Sequence, residues 1–334
     1  MRSVFFALAV SFLACGDNGN NSNPADATKA VDAAGSGQHD AGGSGITTMA
    51  SIPLPAEANG LYWDATSSTL YLTQKFTGSG NAFEKWTDAG GLATVASLDG
   101  ITAVNPGGIV KLADGSFLTP NFSSNDTDNG VIQISGSAAT LLTEAPGSGA
   151  GSAGDYRSIG VALGSDGTTI YQVAFTKVSA TDGFVLKTTI GGGSATQAVF
   201  AENAAAAPLG KLVGIAVESD GTVFISDQTN NAIWKIMTTG AVSSFATYTH
   251  PDLIAKLPNG DLLEGGGTTI SRISATTGTV TPLTFGTMTF TYVGGMAFDA
   301  VNHRLFIDDQ NASTTGGSGD TLDIVPYMPG SGGM

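Results

Sequence analysis

LVGIAVESDGTVFISDQTNNAIWKI, residues 212–236, decides the fold. It begins as a Gly-led apolar run, turns on Asp220-Gly221, and returns as a second apolar run ending in Asp227. A polar Asn-rich link then leads to a third run, 232–237. The same phrase, shorter or noisier, recurs five more times. A unit of this kind cannot bury its apolar face alone, so successive copies must pack on one another.

Aligned on their leading position, the copies start at Gly60, Gly108, Gly160, Gly214, Asp252 and Gly295. A period of roughly 40–50 residues with strand-turn-strand content points to propeller blades and not to helical solenoids. Asp-Gly at 114–115, 166–167 and 220–221, and Asn-Gly at 259–260, lies between two apolar runs each time. These pairs tolerate positive φ, so each pair of runs reads as an antiparallel hairpin. Third and fourth runs follow at 131–135 and 139–142, at 184–190 and 198–200, and at 232–237 and 242–247. Four strands per unit is the pattern of a blade. The sixth copy has only three, at 295–298, 304–308 and 322–327, before the chain stops. Residues 46–52 (ITTMASI) precede the first copy without a hairpin partner and can supply the fourth. The expected architecture is therefore all-β: a six-bladed β-propeller of four-stranded antiparallel blades, with an N-terminal strand closing the last and leaving no open edge.

Composition agrees. The 334 residues are 41% hydrophobic and 12% charged, with 47 Gly and a formal charge of −15. No stretch beyond the N-terminus shows the 3.6-residue apolar spacing of a long helix. The negative balance, without a basic patch, argues against nucleic acid as a partner.

The first residues read as an address. Arg2 precedes a ten-residue apolar core, 4–13, too short to span a bilayer as a helix. It runs into Leu13-Ala14-Cys15, and Cys15 is the only cysteine. This resembles the lipobox of bacterial lipoproteins, which implies cleavage before Cys15 and lipidation of that residue. Residues 16–45 hold almost no large apolar side chain and read as a flexible tether. The expected order is 1–14 signal peptide, 15–45 lipidated Cys and tether, 46–328 propeller, and 329–334 a disordered tail. Export, attachment to a bacterial membrane through the lipid alone, and a monomeric state follow as expectations.

Chemistry is harder to find. His39 falls in the tether, while His250 and His303 fall in different copies, so a His/Cys zinc site has no ligand spacing. Residues 125–130 (NDTDNG) look like a calcium loop but put Thr127 where an oxygen ligand is wanted, and no Glu follows at the right distance. Asp308, Asp309, Asp320 and Asp323 flank a Gly/Ser-rich loop and could meet in space. There is no Gly-x-Ser-x-Gly elbow and no phosphate-binding Gly loop. The best constellation is positional. Three residues before each leading position stand Glu57, Asn105, Arg157, Lys211, Thr249 and Tyr292, all with polar tips. Inner strands of a propeller begin at one mouth of the central channel, where a ring of this kind suits a polar or carboxylate-bearing ligand. Strand entries are also solvated, which makes them polar in any case.

The copy at 214–236, with Gly-Ile-Ala-Val, Asp-Gly, Asp227 and Asn230-Asn231, resembles an NHL repeat. The first copy, NGLYWDATSSTLYLTQ, is similar to the opening blade of the senescence-marker-protein/gluconolactonase family of six-bladed propellers. That resemblance implies a divalent metal, calcium among the possibilities, held by one Glu, two Asn and one Asp at inner-strand starts, and hydrolysis of a lactone. Carried over, the family's Glu falls at Asn59, with Glu57 two residues away. The first Asn falls at Pro106, beside Asn105, the second at Ile159, and the Asp at Val213. A hard cation needs about six oxygens, and Ile and Val supply none, so no catalytic residue, metal ligand or cofactor is assigned. The candidate ligand contacts are Glu57, Asn59, Asn105, Arg157, Lys211, Thr249 and Tyr292. The reading is a lipid-anchored propeller binding a small polar or anionic ligand, or a protein, at the cell envelope. The alternatives are a divalent-metal lactonase or esterase and a structural envelope component without a small ligand.

Overall fold

A computed structural model describes residues 49–75, 79–101, 105–122, 130–145, 156–176, 182–191, 194–202, 204, 207–310 and 319–329. Cys15, expected from the sequence to carry a lipid, the stretch 16–45 expected to be a tether, the 125–129 loop and residues 330–334 lie outside these. The described strands form six four-stranded units. Blade 1 holds β2 (Glu57–Asp64), β3 (Thr69–Lys75), β4 (Ala82–Thr87) and β5 (Gly91–Ser97). Blade 2 holds β6 (Val110–Lys111), β7 (Phe117–Asn121), β8 (Gly130–Ser135) and β9 (Ala138–Ala145). Blade 3 holds β10 (Tyr156–Leu163), β11 (Ile170–Thr176), β12 (Gly183–Gly191) and β13 (Ser194–Glu202). Blade 4 holds β14 (Leu212–Val217), β15 (Val223–Asp227), β16 (Ala232–Ile236) and β17 (Val242–Thr247). Blade 5 holds β18 (Ile254–Lys256), β19 (Leu262–Gly266), β20 (Thr269–Ile273) and β21 (Val280–Leu283). Blade 6 holds β22 (Val293–Asp299), β23 (Arg304–Asp309), β24 (Thr321–Pro326) and β1 (Ala50–Pro53).

The closing strand joins blade 6 as the sequence expects, but it runs Ala50–Pro53 and not over 46–52, of which 46–48 lie outside the described residues. β1 pairs antiparallel with β24, Ala50 opposite Ile324 and Pro53 opposite Thr321. The Asp-Gly and Asn-Gly hairpins all use one device. Gly115, Gly167, Gly221 and Gly260 have φ between 69° and 89°. The preceding Asp114, Asp166, Asp220 or Asn259 side chain accepts a backbone N–H two residues on. Short polar side chains thus fix the turn, and Gly admits the left-handed residue. One pairing has no counterpart in the sequence reading: β13 meets β9 in parallel, Ala195 opposite Glu144 and Thr196 opposite Ala145, which joins the outer edges of blades 2 and 3.

Strand alternation sends one face of each blade toward each neighbour, and every blade-to-blade contact has its own apolar core. Leu118, Val131, Val161 and Ile170 join blades 2 and 3; Val173, Val185, Ile225 and Trp234 join blades 3 and 4. Leu70, Leu72, Trp86, Phe306, Leu322 and Ile324 join blades 1 and 6. A fully buried Leu or Phe stabilises by roughly 1.5–3 kcal/mol, so these six cores hold the ring as well as each blade.

Candidate binding site at the strand entries

Near the axis the inner strands are too close for side chains. A Cβ added at Gly60, Gly107, Gly160 or Gly214 would strike the carbonyl oxygen of Gly107, Ile159, Val213 or Asp252 respectively, each on the next blade. Gly is required there by close backbone approach. β-Bulges follow from the same crowding, at Ala58/Gly60, Ser158/Val161, Leu212/Ile215 and Val293/Gly295. A bulge re-aims the residue that it inserts. The backbone contacts align Asp252 with Val213, Ile159, Gly107 and Asn59, and make Leu253 the counterpart of Gly214. The leading position of blade 5 is therefore Leu253, and its mouth residue is His250 in place of Thr249. Thr249 is exposed and makes no side-chain hydrogen bond among the described residues. Blade 5 opens with Pro251-Asp252 where the other copies carry their Gly signature, which shifts an alignment made on residue type by one.

The other entry residues share one register. The carbonyls of Asn105, Lys211 and Tyr292 accept the N–H groups of Phe122, Gln228 and Gln310 at 2.8, 2.9 and 2.8 Å. Asn59 donates to Asn105 Oδ1 across blades 1 and 2 at 3.2 Å. Arg157 is buried, with its guanidinium 4.9 Å above the Phe122 ring, so this entry is not the solvated one the sequence suggests. Glu57 lies half-buried and acts electrostatically on Asp308.

The densest chemistry lies where blades 4, 5 and 6 meet. Asp252 is 2% exposed. Its Oδ2 accepts the Tyr292 hydroxyl of blade 6 and the Gln228 amide of blade 4. Its backbone N donates to Glu264 Oε1 at 2.7 Å, and its carbonyl accepts Ser226 Oγ at 2.6 Å. Burial pushes the Asp252 carboxyl up to about 7, although the Tyr292 hydrogen bond and the Lys211 charge pull the other way. Glu264, wholly buried beneath it, stands well above the carboxylate range through burial and the neighbouring Asp252. Its Oε2 has no hydrogen-bond partner among the described residues. Partial burial and the same Lys211 lower the His250 imidazole, whose ring meets Tyr292 edge-on at 6.2 Å. A carboxyl that titrates near neutrality beside an ammonium, an imidazole and a phenol is a group able to hold or hand over a proton.

A second acidic cluster sits between blades 6 and 1. Asp308 is fully buried and its pKa lies well above the ordinary value, through burial first and then Asp320, Glu57 and Asp309. Gln310 Nε2 ties Asp308 Oδ2 to the carbonyl of Ala58, at 2.9 and 2.8 Å. The sequence reading expected Asp308, Asp309, Asp320 and Asp323 to meet; Asp320 and Asp309 act electrostatically on Asp308, and Asp323 on Asp309. Even so, among the described residues no three His, Cys, Asp or Glu side chains converge on a point that could hold a metal ion.

The family-type metal site does not fit these residues. Ile159 and Val213 are buried side chains without oxygen, the blade 2 position has only backbone at Gly107, and the Asn59 amide is engaged with Asn105. Asp252 alone brings a carboxylate to this ring of positions.

The raised carboxyls have a measurable consequence. Below about pH 4 Asp252 is neutral both folded and unfolded; as pH climbs through about 7, the folded state must take on a buried charge and loses stability. The melting temperature is expected to rise when pH falls from 8 to 6.5, measured by calorimetry. Below 6.5 the lowered His250 begins to oppose the trend. Asp252→Asn should flatten the slope in that window, and an unchanged slope would contradict the assignment.

No protein-family model matches the chain, and no curated protein matches it. Solved structures do. A gluconolactonase from Xanthomonas campestris shares 16% identity over 83% of this chain and 88% of its own, with a TM-score of 0.58. The calcium-binding protein regucalcin from Agrobacterium tumefaciens shares 14% over 83% and 93%, with a TM-score of 0.55. Virginiamycin B lyase from Staphylococcus aureus shares 12% over 83% and 99%, with a TM-score of 0.51. The chain thus has the six-bladed propeller fold of gluconolactonase- and regucalcin-like proteins. At these identities the likeness concerns the fold.

Proposed function

We propose that the protein is an exported, lipid-tethered propeller that binds a small organic anion at the strand-entry mouth of blades 4, 5 and 6. One observation carries the reading: a fully buried Asp252 joins three blades through Tyr292, Gln228 and Ser226, with the Lys211 ammonium and His250 beside it. Evolved burial of a carboxyl costs stability, and such costs concentrate at functional sites. The ring is narrower than the sequence suggests, because Arg157 is engaged with Phe122 and Thr249 points elsewhere in register. Lys211→Met should abolish binding of small carboxylates followed by calorimetric titration while leaving the melting temperature nearly unchanged, since Lys211 is half-buried and makes no ion pair among the described residues. Affinity unchanged by the substitution would refute the mouth.

A second reading, hydrolysis of a lactone or ester, draws on Asp252 as a proton acceptor near neutral pH and on the gluconolactonase neighbour. It differs from the metal-dependent form, because the residues at the metal positions supply too few oxygens. A lactone and ester panel run with and without a chelator decides it: turnover that a chelator leaves intact and Asp252→Asn abolishes supports this reading.

Export and anchoring rest on the sequence of residues 1–45. Cys15→Ser is expected to move the protein from the membrane fraction to the soluble fraction. Intact-mass data showing cleavage elsewhere and no lipid would end that part of the account.

A further inference from the structure

Blade 6 takes three strands from residues 293–326 and its fourth from residues 50–53, so its seam with blade 1 is where the ring is fastened. Three contacts hold the strand-entry end of that seam. β1 pairs with β24, the Leu54 N–H donates to the Asp320 carbonyl at 2.8 Å, and Gln310 Nε2 reaches from blade 6 to the Ala58 carbonyl of blade 1 at 2.8 Å. The same Nε2 holds Asp308 Oδ2 at 2.9 Å. A Cβ added at Gly294 would strike both Gln310 Nε2 and Asp308 Oδ2, so the inner strand packs directly on this pair.

Asp308 is 0% exposed, and its Oδ1 has no hydrogen-bond partner among the described residues. Each element packed against it brings further acid. β23 itself brings Asp309, the entry of β24 brings Asp320, and the entry of β2 brings Glu57, the last with Lys75 opposite it on β3. Farther out, Asp323 of β24 acts on Asp309 and stands opposite Ser51 of β1. The charges that act on Asp308 are thus the carboxyls of Asp320, Glu57 and Asp309. Ionised, Asp308 would be a buried anion with one donor and no cation. A carboxyl in that position keeps its proton instead, and burial does hold this one well above the ordinary range.

We propose that the seam between blades 6 and 1 is a proton-dependent latch, shut while Asp308 carries its proton and parting as that proton is lost. Parting means that β1 leaves β24 and Gln310 leaves the Ala58 carbonyl, which lets water reach Asp308 and bares the edge of β24. In the open form Asp308 ionises as an ordinary carboxyl, near pH 4. Below that pH both forms hold the proton, and closure is independent of pH. Above it the closed form keeps a proton that the open form has released, so opening gains about tenfold per pH unit until Asp308 ionises in the closed form too. The only chemical step is the transfer of one proton from Asp308 to solvent. Asp252 lies among the contacts of blades 4, 5 and 6 and is not bared when this seam parts.

Hydrogen exchange of the full chain reads the opening directly. It is followed by mass spectrometry from pH 5.5 to 8.5, on peptides covering residues 50–56 and 319–326. After correction for base catalysis of exchange itself, protection of both peptides should fall about tenfold per pH unit, and both should exchange ahead of β11 in blade 3. In Asp308→Asn, whose amide imitates the protonated acid and does not titrate, the slope should drop to near zero. Gln310→Met removes the tie to Ala58 and leaves Asp308 to titrate, so it should lower seam protection at every pH and keep the slope. Seam protection that does not vary with pH in the wild type, a slope that survives in Asp308→Asn, or seam strands that exchange only together with β11 would each overturn the latch. The wild-type and Gln310→Met measurements decide it even where Asp308→Asn fails to fold.

Discussion

Arg304→Met is expected to cost the fold on the order of 3–5 kcal/mol, the penalty typical of removing one partner from a buried ion pair. Arg304 is 1% exposed, at the start of β23 in blade 6. Its Nε donates to Asp299 Oδ2 at 2.8 Å within the blade, and its Nη1 donates to Asp88 Oδ1 at 2.6 Å on blade 1. The guanidinium lies 5.2, 5.6 and 5.1 Å from the rings of Trp63, Trp86 and Phe306. Arg, with a planar and weakly hydrated charge, suits such a cage where Lys would not. Its loss leaves Asp299, itself 0% exposed, with a buried charge met by the Val301 and Asn302 backbone N–H groups and the Asn302 amide and by no cation. Urea unfolding measures the effect. Asp88→Asn should cost much less, because Asp88 is 41% exposed, and Asp299→Asn combined with Arg304→Met should cost less than the two singles summed. A loss below about 1 kcal/mol for Arg304→Met would mean the pair is no better than a surface one.

Removing residues 1–55 should destabilise the propeller by about 5 kcal/mol relative to removing 1–44, from burial of Leu54 and part of Ile52 together with the lost ladder bonds. The shorter cut leaves β1 intact. The longer one strips β24 of its partner from Ala50 to Pro53, and deletes the Leu54 N–H bond to the Asp320 carbonyl at 2.8 Å. It also bares a sheet edge beside Phe306, Leu322 and Ile324, inviting association. Equal melting temperatures for the two truncations would contradict closure of the ring by the N-terminal strand.

The architecture was legible because the signals that encode it are local. Asp-Gly and Asn-Gly turns fix hairpins by backbone preference alone, and alternation within four residues fixes which face is buried. The short count in the last blade told where residues 46–52 must go. What escaped was set by contacts between blades. The bulges near Asn59, Ile159, Val213 and Gly294 arise from crowding at the axis, which no single copy displays. Asp252 was hidden for the same reason: aligned by residue type it stood in a Gly position, whereas backbone contact with Gly214 makes it the counterpart of Val213. The missing Gly signature in blade 5 was the available clue, since a polar residue that replaces a conserved-looking pattern element within the repeats marks a blade put to another use. Asp227 shows the reverse. It ends the second strand of the clearest copy and is spent on structure: its carboxylate accepts Gly210 N, Asn230 and the Trp234 indole. The parallel contact of β13 with β9 has no sequence signature at all, because two residue pairs in register leave no periodic trace.

The claim at the centre of the account is that the blade 4–6 mouth is a carboxylate site that needs no metal. Titrating the isotopically labelled protein with acetate at pH 6.5, with a chelator present, and following backbone amide shifts by NMR tests it most directly. The account predicts saturable shifts centred on Lys211, His250, Asp252 and Tyr292, and their loss in Lys211→Met. Shifts scattered over the outer strands, or shifts at this mouth that appear only when calcium is added, would contradict it.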